Sequence, residues 1–331
     1  MRIQAVTALA YYSQRDVQVN TLRATLAAFG AAIGGADSVT VLPFGAASGI
    51  WDKAGCRLAR NTHIILAEES GLGQVIDPAG GSWFVEQFSE DLAAKGWEAL
   101  QEIERRGGIG AILASGWAAA EVERTWHRRL HNIVRRKDAL TGVSEFPNLT
   151  DPAPPASLDA SSDRQTNPFP LRRHSAPFEH LRDAADLPTQ RPSVFLAALG
   201  PLSAHGPRAQ FAMNFFAAGG IAAENSNGEG FNSAAEVAAA FGLTAPRPPL
   251  VVICSSDQYY AEHAVSTAQA LKASGCTRLY LAGNPGERRA EFESAGVDEF
   301  VYIGCDAIDV LGRALQASGI EITGNAEANA R

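Results

Sequence analysis

The sequence predicts an α/β fold in two parts joined by a linker, and three observations carry that expectation. Short apolar runs rich in β-branched residues alternate with stretches of helical periodicity in both halves, the order that gives parallel sheets covered by helices. The chain has 331 residues, room for about two cores at roughly 150 residues per domain. Nine of its 17 prolines fall between Pro147 and Pro192 among Ser, Asp and Arg, and such a stretch cannot repay its ordering with a core of its own. The expected divisions are a first part over 1–145, a linker over 146–191 and a second part over 192–331.

In the first part, residues 17–32 set Val19, Leu22, Leu26, Phe29 and Ile33 at helical spacing and stop at Gly34-Gly35. The run SVTVLPF over 38–44 suits a buried parallel strand. Residues 53–62 read as a helix running into the apolar stretch 63–67. Two long amphipathic helices follow over 83–106 and 110–137, parted by Gly107-Gly108. Counted generously, this part supplies three or four strands, whereas a closed (β/α)8 barrel needs eight.

Within the linker, residues 178–186 (FEHLRDAAD) suit one or two helical turns. The second part opens with the buried-strand pattern SVFLAAL over 193–199, ended by Gly200-Pro201, and a helix over 207–218 stopped by Gly219-Gly220. After 221–224 and a polar Asn/Gly turn comes an alanine-rich helix over 233–241. Strands over 250–254 (LVVIC), 278–282 (RLYLA) and 300–303 alternate with helices over 260–274 and 307–318. That repetition is the pattern of an open doubly wound domain, whose ligands bind beyond the carboxyl ends of the strands. Any site should therefore use 200–208, Ser255, Ser256 and 283–286.

Charge and composition exclude several classes. Lys plus Arg is 28 against 36 for Asp plus Glu, a formal charge of 28 − 36 = −8, which argues against a general binder of nucleic acid or anionic membrane. No stretch approaches the roughly 18 apolar residues of a membrane span. The first residues carry no basic-then-apolar segment with a small-residue cleavage site, so the cytoplasm is the expected location. Cys56, Cys254, Cys276 and Cys305 show no CxxC or Cys/His spacing and read as reduced, mostly buried apolar residues.

The candidate chemistry sits in four places. His205, in the loop GPLSAHGPR over 200–208, could ligate a metal or a metal-bearing cofactor, but no carboxylate to orient it is near in sequence, Ser203 sitting two residues before it; the plainer reading is an exposed loop histidine. Gly283 and Gly286 (GNPG) allow close backbone approach or an ordinary turn. Glu68 and Glu69 could hydrogen-bond ribose hydroxyls, although adjacent residues do not face one way. The basic run from Arg124 to Lys137 would attract phosphates, but it spreads around a helix and reads as a solvated face or a rim contacting a subunit. No Walker loop, GxSxG elbow or dinucleotide fingerprint is present.

Three strings carry the reading further: 57–63 (RLARNTH) with Glu68-Glu69-Ser70, 75–86 (VIDPAGGSWFVE), and 37–44 before them. Together they resemble the C-terminal part of the substrate barrel of methylmalonyl-CoA mutase and related acyl-CoA mutases, over about 3–138. The resemblance implies a partial TIM barrel holding only C-terminal strands, followed by a flavodoxin-like domain of the cobalamin-binding type. In that family adenosylcobalamin lies between the two and starts a radical rearrangement of methylmalonyl-CoA to succinyl-CoA. The catalytic chains carry Asp-x-His-x-x-Gly after the first strand of the second domain, with the histidine as lower cobalt ligand. Here the register reads Ser203-Ala204-His205-Gly206-Pro207-Arg208, so the histidine is kept while the acidic and glycine positions are not. Ser255 and Ser256 match the family's nucleotide-pocket serines in outline, and its Gly-Gly reads Ala282-Gly283-Asn284.

The string LGPLSAH with RAQFAMNFFAAGGI is similar to the small, non-catalytic subunit of the heterodimeric bacterial mutases. The resemblance implies a heterodimer with a catalytic mutase subunit, acyl-CoA bound through that partner, and adenosylcobalamin belonging to the complex rather than to this chain. The N-terminal half of the family's barrel is absent from these residues, so either a separate chain completes it or the sequence is the C-terminal portion of a longer small-subunit-type chain. Two alternatives stand beside it: a cobalamin-binding catalytic fragment with His205 on cobalt, Ser203, Ser255, Ser256, Gly283 and Glu68 around the cofactor, and an isolated flavodoxin-like interaction module.

Overall fold

The computed structural model describes residues 2–151, 169–224 and 230–322. The middle of the expected linker, 152–168, and the Asn/Gly turn at 225–229 lie outside the described residues. Two compact units emerge, Met1–Arg129 with Pro154–His174, and Leu130–Ala153 with Ser175–Arg331.

In the first unit β1 (Gln4–Val6) pairs in parallel with β2 (Ser38–Thr40), Ala5 beside Val39. Between them runs α1 (Val19–Ile33), then α2 (Lys53–Ile64), capped by Asp52, whose carboxylate accepts from the Gly55 N–H at 2.7 Å. Long α3 (Trp83–Arg105) is followed by α4 (Gly108–Ala114) and α5 (Trp117–Val134). Two strands among the described residues replace the three or four expected. The apolar stretch 63–67 does not break into a strand: α2 runs into a π-helical turn, Ile65–Glu69, because a short apolar run beside a helix fits either period. The expected 110–137 helix divides at Gly116, whose φ of 75° interrupts it.

The stripe on α1 is found at the predicted spacing but not on the predicted side. Leu22, Leu26 and Phe29 are exposed, Leu26 at 72%, while Asn20, Ala24 and Ala28 are buried. Small residues let the helix approach the strands closely, and Ala24 and Ala28 join Tyr12, Val41, Ala46 and Ala47 in a small core. Helix α3 contributes no buried residue, and Trp83 and Phe84 are 91% and 76% exposed.

The second unit is a five-stranded all-parallel sheet. Its strands are β3 (Ser193–Ala198), β4 (Ala222–Glu224), β5 (Leu250–Cys254), β6 (Arg278–Ala282) and β7 (Glu299–Val301), in the order β4-β3-β5-β6-β7. Both faces are covered. Val194, Leu196, Val252 and Tyr280 point into one core with α6 (Ala176–Asp186), α7 (Leu202–Ala218) and α12 (Ala307–Ala317). Phe195, Ala197, Val251, Ile253 and Leu281 point into the other with α8 (Ala234–Leu243), α10 (Val265–Ala273) and α11 (Arg289–Ser294). The continuous apolar runs of β3 and β5 are what burial on two faces requires. Short α9 (Asp257–Tyr259) leads through a π-helical turn, Tyr260–Ala264, into α10.

Two expectations change here. Edge strand β4, Ala-Ala-Glu, has no β-branched residue to announce it. The stretch 178–186 extends to the full three turns of α6, whose Phe178, Leu181, Ala184 and Ala185 are buried in the first core.

Candidate functional site

Strand β3 is flanked by β4 on one side and β5 on the other, so the chain reverses its direction of progress across the sheet between β3 and β5. In open α/β sheets the crevice beyond the carboxyl ends at that point is where ligands bind. The loops that meet there follow β3, β5 and β6, as the sequence places them.

Gly200 ends β3 with φ 78°, and its Cα lies against the Tyr259 ring, so that an added Cβ would overlap the ring edge. Only glycine suits both conditions. Helix α7 then begins at Leu202, not near 207, with Pro201 as N-cap and Pro207 accommodated inside its second turn. His205 is thereby lifted from the expected exposed loop into the helix and is 1% exposed. Its Nδ1 lies 3.0 Å from the Gly200 carbonyl oxygen. Since a carbonyl only accepts, Nδ1 is the donor in this contact, and Nε2 is buried with no hydrogen-bond partner among the described residues. Gly230 packs against the ring. A Cβ there would come within 2.8 Å of His205 Cε1 and 2.9 Å of Nδ1, and would overlap the Gly200 oxygen. The backbone pairs on either side fix this approach: Gly200 N–H donates to Phe231 O at 2.9 Å and Phe231 N–H to Ala198 O at 2.8 Å.

Arg208, one turn further along α7, reaches across the crevice. Its guanidinium donates to the Ser255 carbonyl at 2.7 Å and to Asp257 Oδ1 at 2.7 Å, and its Cζ lies 4.9 Å from the centroid of the Tyr260 ring. Gly283, with φ 147°, leaves room: an added Cβ would approach Arg208 Cζ to 3.3 Å. Burial alone would lower the Arg208 pKa, but the hydrogen bond to Asp257 and the neighbouring Tyr260 outweigh it and hold it raised. Tyr260 is the floor. Its hydroxyl accepts from Ser255 N–H at 3.0 Å and lies 2.7 Å from Ala282 O and 3.0 Å from Ile253 O, tying the ends of β5 and β6; burial pushes its pKa up.

The other sequence candidates are placed as follows. Ser255 is fully buried and its Oγ donates to Leu199 O at 2.8 Å, joining β3 to β5. Ser256 is the half-buried N-cap of α9, and its side chain makes no cap bond. Ser203 is exposed on the first turn of α7. Glu68 is exposed in the π-helical turn of the first unit. In the basic run, Arg124 pairs with Glu121 and Arg136 with Glu145, and Arg172 holds the Glu123 carboxyl below its usual range. Cys254 and Cys276 are buried, Cys305 is half-buried and Cys56 is exposed. Among the described residues no three His, Cys, Asp or Glu side chains converge as a metal site, and no helix is long and apolar enough to cross a membrane.

The crevice thus unites His205, Ser255, Gly283 and Arg208, with Ser256 at its rim. Sequence reasoning missed Tyr260 and Gly230. Tyr260 had a signal, an aromatic residue four positions after Ser256 at a strand-to-helix junction. Gly230 had only its place beside a polar turn.

Comparison with known proteins adds the following. A family model described as methylmalonyl-CoA mutase matches residues 1–180. The methylmalonyl-CoA mutase small subunit of Streptomyces virginiae is 43% identical over 324 residues, covering 96% of this chain and 50% of that protein. The small subunit of Propionibacterium freudenreichii subsp. shermanii is 34% identical over 332 residues, with the same two coverages. The methylmalonyl-CoA mutase of Cereibacter sphaeroides is 34% identical over 146 residues, 44% of this chain and 21% of that protein. The chain spans about half the length of the small subunits it matches.

Proposed function

The chain belongs to the methylmalonyl-CoA mutase family, and from that premise we propose that it acts as a small-subunit-type chain, supporting a catalytic mutase subunit in a heterodimer that isomerises methylmalonyl-CoA to succinyl-CoA. The observation that carries this reading is the similarity, over 96% of the chain, to proteins named small subunits.

The structure supports it in two ways. Among the described residues of the first unit, two parallel strands with half-exposed or exposed residues leave backbone edges and apolar helix stripes uncovered, and parallel sheets are otherwise buried on both faces. We read residues 1–145 as part of a (β/α)8 barrel whose remaining strands lie outside these 331 residues, 146–191 as a linker, and 192–331 as a flavodoxin-like domain. The strand order of the second unit, 2-1-3-4-5 in its own numbering, is the order of that fold.

Adenosylcobalamin fits the second unit poorly. Ser203 offers no carboxylate, the His205 ring is covered by Gly230, and Arg208 fills the crevice where the cofactor's nucleotide tail would pass. We therefore assign cofactor and acyl-CoA to the partner, in the cytoplasm, and no catalytic step to this chain. One observation favours the competing reading: the Gly200 carbonyl orients His205 as a backbone carbonyl orients many metal-ligating histidines. Titration with hydroxocobalamin separates the two. The chain alone should leave the visible spectrum unchanged and should co-purify with a catalytic mutase subunit. A spectral shift lost in His205→Ala would overturn the non-binding reading, and failure to associate would overturn the support role.

A further inference from the structure

We propose that Arg208 is the resident occupant of the crevice, its guanidinium standing in for a ligand and holding together the loops that follow β3 and β5. The inference rests on the reading that no corrinoid is held here. The surroundings of the guanidinium are those of a receptor for a planar cation: an aromatic face at Tyr260, a carbonyl acceptor at Ser255, a carboxylate at Asp257 and an open Cα at Gly283. They would repel a phosphate. Asp257 alone does not explain the placement, because its side chain is 86% exposed and such pairs contribute little. What distinguishes the site is the buried part, the Ser255 carbonyl and the Tyr260 ring, which Arg208 crosses from another element to reach. Arg208 thus braces the β3 and β5 loops and takes up the space between them.

Cys254, the last residue of β5, reports on the brace: it is fully buried and directly precedes Ser255, whose carbonyl Arg208 holds. Carbamidomethylation of Cys254, followed in the full chain by peptide mass spectrometry, should be about tenfold or more faster in Arg208→Gly than in wild type, since the crevice can then open locally. Millimolar methylguanidinium should slow it again in the variant and leave wild type unchanged. Methylammonium, with the same charge but no plane, should not. Equal labelling of wild type and Arg208→Gly, or equal protection by both cations, refutes the proposal. Should Arg208→Gly fail to fold by circular dichroism, Arg208→Gln carries the test: intermediate labelling is expected, and a wild-type rate refutes it. A wild-type chain that binds hydroxocobalamin would instead sink the reading of the previous subsection, independently of the labelling rates.

Discussion

Replacing Gly230 with alanine tests the closed form of the crevice most directly. The new methyl would overlap the Gly200 carbonyl oxygen and stand 2.8–2.9 Å from two atoms of the His205 ring. Neither neighbour yields easily: the oxygen is backbone, and the ring is buried and held at 3.0 Å by the same carbonyl. Relief requires the 230–231 backbone to withdraw from the sheet. That weakens two hydrogen bonds, Gly200 N–H to Phe231 O and Phe231 N–H to Ala198 O, each worth roughly 0.5–1.5 kcal/mol net. With overpacking of the ring at about 1–3 kcal/mol, the expected loss is roughly 2–6 kcal/mol, or about 4–24 °C in Tm for a unit of this size. All five tryptophans precede residue 130, so their fluorescence follows the first unit. The assay is therefore urea unfolding by far-ultraviolet circular dichroism, with fluorescence recorded in parallel. Gly312→Ala is the control: inside α12, its Cβ would meet Ile322 Cδ1 at an ordinary 3.6 Å, and it should stabilise by about 0.5–1 kcal/mol. A Gly230→Ala midpoint equal to wild type refutes the argument that this backbone is pressed against the histidine.

Ser255→Ala removes the Oγ that joins β5 to Leu199 at 2.8 Å and should cost about 1–2 kcal/mol in urea unfolding; an unchanged midpoint would mean the hydroxyl is spare. Burial pushes the Cys276 thiol from its ordinary 9.0 up to about 12, so the native state keeps a proton that the unfolded chain gives up. The stability this contributes is whole below pH 9 and is lost as pH rises towards 12, at about 1.4 kcal/mol per pH unit and roughly 4 kcal/mol in all. Unfolding midpoints from pH 8 to 10.5 should fall more steeply in wild type than in Cys276→Ala, and parallel slopes would contradict the burial argument. The double variant Trp83→Ser/Phe84→Ser, at exposed positions of α3, should change stability by no more than about 0.5 kcal/mol yet weaken association with a catalytic mutase subunit, measured by gel filtration; undiminished association would place the contact elsewhere.

Much of the second unit was legible because one physical constraint wrote its pattern. Strands buried on both faces must be apolar throughout, and SVFLAAL, LVVIC and RLYLA carry that mark. Edge strand β4 escaped because two alanines and a glutamate satisfy an edge without advertising one. The crevice was found by topology, but its interior was not. The start of α7 was hidden by Pro207, which reads as a helix boundary although this helix accommodates it in its second turn, and with the helix start misplaced the burial of His205 could not be foreseen. Tyr260 and Gly230 belong to the site through tertiary approach alone.

Periodicity in α1 shows where sequence reasoning meets a harder limit. The spacing of Leu22, Leu26 and Phe29 correctly announces a helix with an apolar face, but periodicity states only that one face must be covered, not by what. In this helix the large residues are exposed while Asn20, Ala24 and Ala28 pack on their own unit. The choice is physical: close packing against short strands demands small residues, so the larger ones are left for a surface farther away. Helix α3 repeats the pattern with heavier residues, Trp83, Phe84, Phe88 and Leu92 all exposed. Apolar exposure on this scale, in two helices at once, is costly in water and marks an interaction surface. It places the first unit's demand for a covering surface in the side chains themselves, independently of any likeness to known proteins.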